Sequence, residues 1–93
     1  MSKRLIQSAL VRKGAQQTKA AHIYYSKYVD GKLAATTHVS HGGSDSIGSR
    51  LTGEMARQCK LTKVQFEALI GCTLSADQWE ECIRNHPDTR RQR

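Results

Sequence analysis

The sequence predicts an α+β domain. A small antiparallel sheet, either a hairpin or three strands, should carry helices packed on one face, with extra helices toward the C-terminus. Three observations predict it. An apolar face with helical spacing opens the chain, an Asp-Gly pair separates two β-prone runs, and a pair of capping signals recurs 13 residues apart. At 93 residues the chain has room for one domain, expected over 1–87. Arg90, Arg91 and Arg93 mark 88–93 as a basic tail that should be disordered.

Lys3 to Lys13 places Leu5, Ile6, Ala9 and Leu10 on one helical face, and Gly14 supplies a stop. The next run, Ala21 to Tyr28, is aromatic and β-branched. Asp30-Gly31 follows, and then Lys32 to Val39, which is the strongest short-range hairpin signature. Alternation assigns Ile23, Tyr25 and Lys27 to one face and His22, Tyr24, Ser26 and Tyr28 to the other. Residues 41–49, His-Gly-Gly-Ser-Asp-Ser-Ile-Gly-Ser, read as a flexible connector. They could present backbone N–H groups to an anion, yet they match no phosphate-loop pattern.

Leu51, Met55 and Cys59 recur every four residues and predict a helix over about 49–60. Two further helices start at Thr62 and Ser75, each an N-cap with Gln65 or Gln78 at N3 to complete a capping box. Leu61 can pack on Phe66, and Leu74 on Trp79, as hydrophobic staples. Gly71 is placed to end the first of these helices.

Fifteen Lys and Arg against eight acids give a formal charge of +7. Residues 1–43 hold seven of the basic groups and one acid, Asp30; the remainder is nearly neutral. Such one-sidedness is the electrostatic footprint of a polyanion, most often nucleic acid. No apolar run approaches the ~20 residues of a membrane span, so a cytoplasmic location with no membrane partner is expected. Cys59, Cys72 and Cys82 are odd in number and lack metal-ligand spacing. They read as reduced, buried thiols, and neither a metal nor another cofactor is expected. The basic half lacks paired acids, and hydrolase-elbow, zincin and nucleotide-loop motifs are missing throughout.

Histidines remain: His22 at the head of a strand, His38 and His41 at the end of the next, and His86 near the tail. An imidazole beside phosphate-binding lysines is the minimum kit for metal-free RNA cleavage. It can take the ribose 2′-OH proton or return one to the 5′-oxygen.

The helix Leu5 to Gly14, the strand start Lys19-Ala20-Ala21-His22-Ile23-Tyr24, the Asp30-Gly31 turn, the His41-Gly42 loop and the closing helices Met55 to Leu69 resemble the HicA family. These are small toxins of bacterial toxin–antitoxin pairs with a double-stranded-RNA-binding-domain-like fold. The similarity spans about residues 3–70. Ala20-Ala21 stand where the family has Gly-Ser, and the helix after Ser75 is additional. The resemblance implies an mRNA endoribonuclease with His22 catalytic and an antitoxin protein as partner. Arg12, Lys13, Lys19, Lys27 and His41 are then the expected RNA contacts.

Two rival classes are open. Residues 51–70 also read as a helix-turn-helix for duplex DNA, with Ala56 at the small position and Lys60 where that motif usually has Gly. A non-catalytic phage or plasmid protein-binding module would instead dock through Tyr24, Tyr25 and Tyr28.

Overall fold

The computed structural model describes residues 1–87. In chain order these form α1 (Lys3–Arg12), β1 (Gln16–Lys19), β2 (Ile23–Val29), β3 (Lys32–Val39), α2 (Ser49–Gln58), α3 (Lys63–Ile70) and α4 (Ala76–Asn85). The basic tail 88–93, with the disorder expected there, lies outside the described residues. No helix among the described residues is long and apolar enough to cross a membrane.

The sheet is antiparallel in the order β1-β2-β3. The third strand is Gln16–Lys19, placed before the hairpin and joined to it by the turn Ala20-Ala21-His22. At the Asp30-Gly31 turn both residues have positive φ, 55° and 80°. That is the primed geometry whose twist matches the strands it joins. Beyond the turn Val29 pairs with Lys32 and Tyr28 with Leu33, but Lys27 then pairs with Ala35. Ala34 is the extra residue of a β-bulge, and the bulge displaces the rest of β3 by one position.

One core draws on all four helices and on the inner face of β2 and β3. Ile6, Ala9 and Leu10 come from α1, and Tyr25, Val29, Ala35 and Val39 from the strands. Met55, Ala56, Phe66, Leu69, Trp79 and Ile83 come from α2, α3 and α4. Leu5, expected on the buried stripe of α1, is exposed. Both capping boxes are formed, with Thr62 and Ser75 accepting from Gln65 N and Gln78 N and the glutamines reaching back. The connector 40–48 is pinned at several points. Lys3 Nζ donates to Gly42 O (2.8 Å), and Asp45 accepts from Ser2 Oγ (2.8 Å) and Arg4 N (3.1 Å). Met1 and Ile47 exchange backbone hydrogen bonds. The anion at the N-terminus of α1 is therefore the chain's own Asp45. Those hydrogen bonds, Ser2's first, hold its carboxyl below the usual range.

α1, α2 and α3 all end in the same closing geometry. The residue after the cap is left-handed, and the next N–H returns to a carbonyl of the last turn: Ala15 to Leu10, Leu61 to Ala56, Thr73 to Ala68. The left-handed residue is Gly14 at φ 95°, Lys60 at φ 64° and Cys72 at φ 70°. Gly71 itself has φ −80°, so the left-handed position expected of it falls one residue later, on Cys72. Cys72 is consequently an exposed turn residue, Cys82 is half-buried, and of the three thiols only Cys59 is fully buried as expected.

Lys27 is the unusual core member, with 5% exposure. Its ammonium donates to Lys13 O (3.2 Å) and Glu80 Oε2 (3.2 Å), and it lies 5.4 Å from the centroid of the Trp79 ring. A buried ion pair gains little over an apolar pair of equal volume, but half of one is costly. Glu80 is 28% exposed and keeps Arg84 at 3.5 Å, so Lys27→Met strands no buried charge and is expected to stay within about 1 kcal/mol of the parent. Glu80→Ala leaves a buried ammonium without its carboxylate and should lose about 3 kcal/mol. Urea denaturation midpoints distinguish the two outcomes. Lys60→Gly removes left-handed strain and should raise stability by about 1 kcal/mol, seen as a higher urea midpoint.

Candidate functional site

The four helices share one core with the inward residues of β2 and β3, and among the described residues the strand alternation leaves the other side of the sheet open. On that side Thr18, Tyr24 and His38 stand in one cross-strand row, and Gln16, Ser26 and Thr36 in the next. Tyr28 and Leu33 form the last row, 46% and 58% exposed. His22, in the β1–β2 turn, completes the end nearest Tyr24. Its ring centroid is 5.1 Å from that of His38 and 6.2 Å from that of Tyr24, while Tyr24 and His38 are 5.5 Å apart. Two exposed imidazoles and a phenol thus share one end of the open face.

The turn carrying His22 is held from two directions. Ala20 N donates to His22 O (2.9 Å), and His41 Nε2 lies 2.7 Å from Ala20 O. A carbonyl can only accept, so the His41 ring nitrogen donates there. His41 was expected at the RNA; the structure gives it a hold on the backbone two residues before His22. Lys19, at the end of β1 beside this turn, is exposed.

The other predicted contacts do not gather here. Lys27 is on the helix-covered face, paired with Glu80, and is removed from any phosphate. The alternation that placed it with Tyr25 already implied this. Lys13 Nζ donates to Leu74 O (2.7 Å), tying α1 to the segment before α4, and Arg12 reaches Cys72 Sγ at 3.5 Å. Of the five basic or imidazole groups expected at the RNA, Lys19 and His41 are the two adjoining the His22 turn.

The sequence assigns His38 no role, and Tyr24 only a place, with Tyr25 and Tyr28, on the docking surface of the protein-binding alternative; Tyr25 is instead buried in the core. The available signal was the alternation that put His22 and Tyr24 on one face. The placement of His38 opposite Tyr24 additionally requires the bulge at Ala34. Burial pushes the Cys59 thiol up to about 12, so it is a neutral packing group and no nucleophile. Among the described residues, no group of three or more His, Cys, Asp and Glu side chains is arranged to hold a metal ion.

No protein-family model, curated protein or solved structure matches the chain. The functional reading therefore rests on its own residues.

The turn is expected to loosen without its tether. His41→Ala should leave global stability within about 1 kcal/mol, as for an exposed residue. Amide hydrogen exchange at Ala20 to His22 should accelerate selectively, which native-state exchange would register.

Proposed function

We propose that the protein is an RNA-binding, metal-independent endoribonuclease resembling the HicA toxins. The observation that carries this reading is the pairing of His22 with His38 beside Tyr24 on the open sheet face. Two adjacent imidazoles supply the two proton transfers that cleavage of a ribose-containing strand requires. One removes the proton of the 2′-OH, whose oxygen attacks the adjoining phosphorus. The other protonates the departing 5′-oxygen, leaving a 2′,3′-cyclic phosphate and a free 5′-hydroxyl. Lys19 is placed to meet the phosphate, and His41 acts through the turn as a positioning residue. The helix, three strands and helix of α1 to α2 follow the order that the HicA resemblance implies. An antitoxin protein covering the basic N-terminal half belongs to the same proposal.

A second reading, duplex DNA binding through α2 and α3, is favoured by one observation. Lys60 adopts the left-handed conformation that a helix-turn-helix places at that position, with Met55, Ala56, Cys59, Leu61, Phe66 and Leu69 all buried. Against it, the exposed face of α3 carries Glu67, and Lys63 donates to Ser49. A helix whose one lysine is balanced by one glutamate is poorly equipped to approach a phosphate backbone.

Purified protein incubated with labelled RNA in the presence of chelator tests both readings. Wild type should produce fragments ending in cyclic phosphate, with a bell-shaped dependence of rate on pH. His22→Ala and His38→Ala should each slow cleavage by about 10²–10⁴-fold while leaving the fold intact. Intact RNA with wild type, together with duplex DNA binding that is lost in Lys63→Ala, would transfer the weight to the second reading.

A further inference from the structure

We propose that the open sheet face is a stacking platform for single-stranded RNA, with Tyr24 and Tyr28 each receiving a base. This rests on the RNA reading above and names the form of RNA involved. None of the three strands contains Asp or Glu, so no carboxylate on the sheet opposes a phosphate. The outer rows themselves carry no lysine, arginine or carboxylate, being Thr18, Tyr24 and His38, then Gln16, Ser26 and Thr36, then Tyr28 and Leu33.

An aromatic face of this kind suits bases rather than phosphates. Base–aromatic stacking is tolerant of sequence, because every base presents a π-face. The cations stand at the two ends of the sheet, in the alternate rows: exposed Lys19 pairs with Ile23 and exposed Lys32 with Val29. Asp30, the acid nearest that second end, is engaged by Arg84 at 3.2 Å. A strand laid across the sheet would place bases on the face, and these two flexible cations would reach its backbone from the ends of the sheet.

Geometry selects the single strand. Tyr24 and Tyr28 are four residues apart on β2, roughly 13 Å at the usual rise per residue. That is room for about two or three bases, the number small sheet platforms accept. Three strands span only about 10 Å across. Duplex RNA hides its bases and is held through phosphates and 2′-hydroxyls over about 16 base pairs, which requires basic groups across a far larger surface. The platform also ends at His22 and His38. A base stacked on Tyr24 would bring its own sugar and phosphate to the imidazoles.

Fluorescence anisotropy with labelled 2′-O-methyl RNA tests this, since a blocked 2′-oxygen prevents cleavage while preserving bases and phosphates. A 12-nucleotide single strand and the matching duplex are titrated with the full chain. The single strand should bind at least about 10-fold more tightly than the duplex. Tyr28→Ala should weaken single-strand binding by about 5- to 100-fold, the range for loss of one stacked base. Tyr28→Phe should stay within about 2-fold, because the ring survives. Tyr28 is exposed, so these variants should keep the fold, which circular dichroism would verify. Tighter duplex binding, or indifference to Tyr28→Ala, overturns the platform alone if His22-dependent cleavage persists. Binding to neither form overturns the platform and the RNA reading together and leaves the face to a protein partner.

Discussion

A single buried ammonium sets where the layers of this domain meet. Lys27 leaves β2 on the helix side, and its Nζ meets the last carbonyl of α1's cap, the Glu80 carboxylate of α4 and the Trp79 ring. Two segments distant in sequence, the cap of α1 and the helix α4, are thereby fixed to the central strand. The charge accounts for the approach of α4. Trp79 closes the core with its indole N–H on Cys59 O at 3.0 Å, and Arg84 spans from Glu80 to Asp30 in the hairpin turn. Gly14 belongs to the same arrangement. It needs positive φ to turn α1 into β1, and a Cβ there would come within 2.9 Å of Lys27 Nζ. Short helices joined by tight turns bury limited surface in a chain this small, so a polar clasp of this kind specifies which helix sits where.

With the helices sharing a core on the Lys27 side, the other sheet face is left to carry function. That face owes its composition to the bulge at Ala34. With an unbroken two-residue hairpin, Ile23 would oppose His38 and the imidazole would turn toward the core. The inserted residue moves the register by one, so His38 opposes Tyr24 on the open side. The same shift keeps Ala35, Thr37 and Val39 directed inward. Thr37 is the polar exception there, and its hydroxyl is satisfied by Gln58 Oε1 at 2.7 Å.

The basic charge of the N-terminal half divides into two uses once folded. Lys3, Lys13 and Lys27 cap carbonyls or a carboxylate inside the molecule. Arg4, Lys19 and Lys32 remain exposed. The charge available to a polyanion is thus smaller than the formal total, and part of it lies at the two ends of the sheet. An aromatic floor with cationic ends differs from a uniformly basic patch in what it can recognise. The floor favours bases and the ends favour phosphates.

Local chemistry determined much of this protein. Helical spacing, two capping boxes and an Asp-Gly turn depend on residues within a few positions of one another, and each element formed near its expected bounds. The alternation of β2 likewise separated Lys27 from His22, Tyr24 and Tyr28. Other features were decided by tertiary structure. The bulge at Ala34 has no composition signal, since an alanine fits either register. Lys60 and Cys72 take left-handed backbone because the packing of the next helix requires the chain to reverse there, and neither residue type announces it. Whether a lysine faces solvent or serves as a clasp depends on the helix that arrives opposite it. The meeting of His22 with His38 has the same origin: two side chains 16 positions apart become neighbours only when strand register, bulge and turn are set together.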